Sequence, residues 1–156
     1  MRGKQAKKRK LRPDAIYESV LVTRLITAVM RDGKRSVAEK VVYSTLEKLE
    51  KELKKKPLEI LEKAIDSVMP RLEVRPRRVG GVNYQVPAPV PEHRQLALAV
   101  KWIILEARSR RKKESFEKAL ATELIEAYKG SGGAVKKKED VHKMAEANKA
   151  FAHFQW

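Results

Sequence analysis

Basic side chains are the chemical groups this sequence places in quantity, and it places them in clusters. Residues 1–12 hold Arg2, Lys4, Lys7, Lys8, Arg9, Lys10 and Arg12 with no acid among them. Later clusters are Arg31, Lys34 and Arg35; Arg75, Arg77 and Arg78; Arg108, Arg110, Arg111, Lys112 and Lys113; and Lys136, Lys137 and Lys138. Grouped lysines and arginines neutralise phosphates and displace their counterions. The whole chain carries 36 Lys+Arg against 20 Asp+Glu, a formal net charge of +16 over 156 residues. Such self-repulsion points to a polyanionic partner, nucleic acid before an anionic membrane.

Other chemistries find little support. His93, His142 and His153 are scattered among polar neighbours and are expected at the surface or against RNA, not as catalytic bases. Asp14, Asp32 and Asp66 have no metal-like spacing, and the loop Gly130-Ser131-Gly132-Gly133 lacks the Gly-Lys-Ser/Thr of a Walker loop. No nucleophile, base and electrophile converge, so neither an enzyme nor a cofactor or metal is expected. The chain has no cysteine, which removes disulfides and thiolate sites. Its most apolar run, 96–105, is too short for a bilayer and contains Lys101, and the N-terminus lacks a secretory apolar region. A cytoplasmic location is the expectation.

The elements that must position these charges read as helices. Residues 1–12 cannot offset their ordering entropy by burial and are expected to be disordered when free, as an extension to a single domain over 13–156. Ser19 caps a first helix carrying Val20, Leu21, Leu25, Ile26, Val29 and Met30, closed by Asp32-Gly33. Ser36-Val37-Ala38-Glu39 reads as a capping box opening a second helix. Its lysines 48–56, interleaved with glutamates, read as an exposed ion-paired face. Pro57 suits the first position of a third helix, which stops before Pro70. A fourth runs from Pro91-Glu92 to about Arg108 and is apolar nearly all round, which places it at the centre of a bundle. A fifth starts at Ser115. A sixth spans about 134–149 with Val141, Met144, Ala145 and Asn148 on one face. Lys136 to Lys138 then fall in its first turn, where positive charge opposes the macrodipole by about 0.3–1 kcal/mol each. That placement suggests an external anion, which the N–H groups after the glycines would also bind.

Between the third and fourth helices, residues 72–89 form a candidate β-ribbon. A two-residue Gly80-Gly81 turn supplies the positive φ of a tight hairpin. It pairs Val79 with Val82, Arg77 with Tyr84 and Arg75 with Val86. Pro76, Pro87 and Pro89 then face outward, so the ladder survives while each edge lacks donors for a third strand. One face carries Arg75 and Arg77 beside Tyr84, and the other carries Arg78, Asn83 and Gln85. Neither is a core face, so the ribbon is expected to be a mobile arm ordered by RNA. The fold class is mainly α: about six helices in a bundle with one protruding two-stranded ribbon.

Asp32-Gly33-Lys34-Arg35, the run RLEVRPRRVGGVNYQV over 71–86, and GGAVKKKEDVHKMAEANK over 132–149 together resemble the bacterial small-subunit ribosomal protein seven family. The resemblance extends over essentially the whole chain. Pro87, Pro89 and Pro91 make the returning strand unusually rich in proline for it. What the resemblance implies is a structural constituent of the small ribosomal subunit, in the cytoplasm. It implies primary binding of the 3′ major domain of the small-subunit rRNA and nucleation of head assembly. The implied surroundings are the tRNA exit site, the mRNA path, and other head and platform proteins. Some bacterial members also repress translation of their own operon mRNA. Carried over, RNA contact falls on the basic extension, Lys34, Arg35, Arg75, Arg77, Arg78, Tyr84, the Arg108 to Lys113 turn, and Lys136 to Lys138. The rival reading is an architectural DNA-binding protein with a β-ribbon arm. The Gly-Gly tip without an intercalating proline and the five separate basic clusters argue against it.

Overall fold

The computed structural model describes residues 10–111 and 114–154. Its first ordering device is a carboxylate. Asp14 Oδ2 accepts the N–H groups of Ile16 and Tyr17 at 3.1 and 3.2 Å, and its Oδ1 accepts the Tyr43 hydroxyl at 2.8 Å. Burial opposes the charged carboxylate, but these hydrogen bonds hold its pKa below the ordinary value. Burial and the Asp14 contact push the Tyr43 phenol up to about 12. Arg12 is tied down too, its carbonyl accepting the Thr23 hydroxyl at 3.0 Å.

Helix α1 (Val20–Val29) starts where Ser19 Oγ accepts the Leu21 N–H at 3.2 Å. It buries Val22, Leu25, Ile26 and Val29. Asp32 and Gly33 follow, both left-handed at φ 53° and 72°. The next helix begins two residues earlier than the expected Ser36 cap would place it, and the expected capping box does not form. Helix α2 (Arg35–Leu53) takes Lys34 as its N-cap, without a side-chain bond. Ser36 is already helical, and Glu39 instead pairs with Arg35 Nε at 2.7 Å. Helix α3 (Pro57–Val68) has its proline at the first position, as expected.

Helix α4 (Glu92–Arg110) packs on α1, α3, α5 and α6. It is not buried all round, since Lys101 is exposed and Leu105 is 47% exposed. The central place is shared with α5 (Phe116–Tyr128), which packs on α2, α3, α4 and α6. Ala119, Ala121 and Ala127 are buried there, and their small side chains let neighbouring helices approach closely. Leu46, Leu49, Ile60, Leu61, Ile103, Leu120 and Leu124 fill the space between. Each contributes about 1.5–3 kcal/mol by leaving water. Helix α6 (Gly133–Ala147) buries Ala134, Val135 and Ala145. Met144, expected to share one face with Ala145, is 52% exposed while Ala145 is buried. The chain then tightens into a 3₁₀ segment, Lys149–Phe154, beyond the helix expected to end near residue 149.

The ribbon has the expected register. Strands β1 (Leu72–Val79) and β2 (Val82–Pro89) pair antiparallel from Leu72↔Pro89 to Val79↔Val82, with Gly80 and Gly81 at φ 57° and 91°. The prolines do not shorten β2. Expectation and structure part at the ribbon's base. Val86 and Pro87 are buried, and α6 and the 3₁₀ segment pack against the strands. A hairpin expected to stand alone is clamped along its lower half.

Candidate nucleic-acid interface

The turn between α1 and α2 and the C-terminal end of α4 are far apart in sequence and meet in space. Arg31, Asp32 and Lys34 from the first line one open cleft of about 240 Å³ with Arg108 and Arg111 from the second. Its apolar lining comes from Val29, Met30, Val37, Ala38, Val41 and Phe116. Arg108 is half-buried and reaches back to the Val29 carbonyl at 3.4 Å. Burial and the nearby Arg31 charge lower its pKa. Two turns that separately look like solvated loops thus make one cationic rim with a single acid on it.

The remaining predicted site residues divide into two groups. Arg77 and Arg78 are exposed on the ribbon, and Lys136 and Lys137 on α6. Lys10 and Arg12 are exposed at the start of the described chain. Other cations have partners inside the protein. Arg110 turns away from the cleft and pairs with Glu123 at 2.9 Å and with Glu126. Arg35 pairs with Glu39, although its side chain stays 57% exposed. Lys138 Nζ donates to the Ser67 carbonyl at 2.6 Å, in the last turn of α3. A cation there suits the negative end of the helix dipole. Tyr84 is half-buried, its ring 5.2 and 5.1 Å from those of Phe151 and Phe154. Arg2, Lys4, Lys7, Lys8, Arg9, Lys112 and Lys113 lie outside the described residues, and so does most of the segment expected to be disordered.

The anion site expected at the start of α6 is already filled. Glu123 Oε1 accepts the Ala134 N–H at 2.8 Å, and the Glu123 side chain is fully buried. The three lysines also begin at the fourth residue of α6, because the helix starts at Gly133. Burial raises the Glu123 pKa although the Ala134 amide and Arg110 favour the charge. An internal carboxylate has taken the place assigned to a phosphate.

A sequence model of the family described as ribosomal protein S7p/S5e matches residues 1–149. The chain belongs to that family. It is similar to the small ribosomal subunit protein uS7 of Kosmotoga olearia at 57% identity and to that of Thermosipho africanus at 55%. The uS7 of Mycoplasma genitalium is 49% identical. Each of these similarities covers all of both chains. As a member of the S7p/S5e family the protein is a structural constituent of the small ribosomal subunit, not an enzyme, and its place is the ribosome. None of its described helices is long and apolar enough to cross a membrane.

Within this S7p/S5e chain, three residues that the sequence reading gave no structural role hold the ribbon. His142 Nε2 accepts the Arg71 N–H at 3.0 Å, so the imidazole must be neutral at that nitrogen. Burial lowers its pKa, as do the charges of Lys138 and Arg71. A histidine expected at the surface or on RNA is therefore a link between α6 and the start of β1. Glu73, the ribbon's acid, is buried and accepts from Arg75 Nε at 2.6 Å and from Arg94 Nε at 3.0 and 2.8 Å. Burial opposes its charge, but the two guanidiniums hold its pKa below the ordinary value. Arg94 was legible by the criterion applied to Lys136 to Lys138, as a cation in a helix's first turn.

Proposed function

We propose that this chain is a primary binder of the 3′ major domain of small-subunit rRNA and nucleates assembly of the subunit head. In this reading it lies beside the tRNA exit site and the mRNA path, among other head and platform proteins. The observation that carries it is the cleft, where Arg31, Lys34, Arg108 and Arg111 from two distant turns rim an apolar floor. A rim of that kind suits the phosphates of a folded RNA junction read by shape. Arg77 and Arg78 on the ribbon, and Lys136 and Lys137 on α6, extend the phosphate contacts. The basic extension over 1–12 and Lys112 and Lys113 add more. Arg110 and Lys138 serve the fold first, because their charges are engaged within it.

The test is a salt titration of binding to a 3′ major domain rRNA fragment and to duplex DNA of matched length. Tighter binding to the RNA at every salt concentration is expected. Equal affinity for both would favour a general architectural binder and end the ribosomal-RNA reading.

A further inference from the structure

Glu73 sits between two arginines that come from different elements. Arg75 is two residues along β1, while Arg94 is the third residue of α4. Both guanidiniums reach the Glu73 carboxylate at 2.5 to 3.0 Å, and both side chains are 47% exposed. A buried carboxylate needs such partners, but one would meet the electrostatic need. Two guanidiniums on one carboxylate leave a net charge of +1 at a half-exposed site. Each guanidinium has five N–H donors, so a carboxylate with two oxygens exhausts neither. The shared carboxylate also fixes both planes, which removes most of the ordering cost of gripping a second anion.

We propose that Arg75 and Arg94, aligned by Glu73, form a phosphodiester-binding site at the ribbon's base. Arg94 is a binding residue there, and Glu73 is a positioning residue. The residual +1 matches the single negative charge of a backbone phosphodiester. Arg94 stands in the first turn of α4, where the helix dipole disfavours a cation and favours an anion. The site rests on the rRNA reading above and sharpens it to a residue pair.

Glu73→Gln in the full chain separates positioning from bulk charge. The substitution removes a negative charge and raises the net charge from +16 to +17. If charge alone governed binding, the variant would hold the 3′ major domain fragment more tightly. With Glu73 as an aligner, fluorescence anisotropy is expected to show affinity falling about tenfold, the scale of one lost charged hydrogen bond. Unchanged or tighter binding by a folded variant would overturn the site. Arg94→Lys keeps the charge and loses the planar fork, and it decides the matter if the glutamine variant does not fold. A loss of about fivefold or more is expected from it, whereas wild-type affinity would overturn the proposal. Wild-type protein that binds duplex DNA as tightly as the rRNA fragment would instead overturn the reading on which the site rests.

Discussion

The two halves of the β-ribbon share one register and differ in everything that surrounds them. At the base, Glu73 ties Arg75 to Arg94, His142 takes the Arg71 amide, and Val86 and Pro87 are buried. At the tip, Arg77, Arg78 and Val82 are exposed around the Gly80-Gly81 turn. A charge held by neighbours is pre-aimed and keeps its geometry. A charge at the end of a free hairpin reaches further but must be ordered when it binds. One short element therefore offers two kinds of cation, and the difference lies in the partners, not in the strands.

The strongest way to break this contrast is to remove the base's aromatic clasp. Tyr84→Ala deletes two ring pairs, each worth about 0.5–1.5 kcal/mol, for an expected total of about 1–3 kcal/mol. Amide hydrogen exchange is expected to quicken over residues 149–154 and along β2, while α2 and α5 keep their protection. Uniform exchange throughout the chain would show that no such clasp exists. Gly81→Ala strikes the other half, since a φ of 91° burdens any side chain there with about 1–2 kcal/mol. The turn is expected to loosen and the base to stay paired, as cross-strand contacts in NMR spectra would report.

A smaller effect comes from pH. His142 is an acceptor in the fold, so the folded protein binds protons less readily than the unfolded chain at this residue. Its contribution is complete above the ordinary histidine pKa of 6.5 and is lost as pH falls from there toward the lowered folded value. Thermal melting at pH 7.5 and 5.5 is expected to show a decline that His142→Phe lessens. An unaltered pH dependence in that variant would mean the imidazole does not sense acid. Least of all, Arg77→Ala with Arg78→Ala is expected to change stability by no more than about 0.5 kcal/mol. The same pair is expected to lower the salt slope of RNA binding by about 0.7–0.9 per lost phosphate contact. A salt slope equal to that of the wild type would place the tip away from RNA.

The ribbon's register was legible because a Gly-Gly turn and a period of two leave little choice. Its clamping was not. The run KAFAHF at 149–154 has no periodicity of its own, and Phe151 and Phe154 matter only once β2 brings Tyr84 to them. Charge clusters were equally plain, but their convergence in a cleft depends on how α4 packs against α1. Arg110 sat in a basic run and Glu123 among ordinary helix-face residues, so neither betrayed that Glu123 is buried against Arg110. Short-range pattern reports what a residue is; the partner arrives from another element.

The carboxylate at the start of α6 has a consequence for how the domain completes itself. Glu123 lies on α5, Arg110 on α4, and the Ala134 amide on α6, so one buried group is shared by three helices. During synthesis α5 is made before α6, and until that last helix docks the carboxylate lacks the amide that satisfies it. Without α6 the Glu123 carboxylate would lose that amide and keep only Arg110 beside it. The C-terminal segment is therefore a closing piece whose arrival seals the middle of the molecule, and the ribbon's clasp follows behind it.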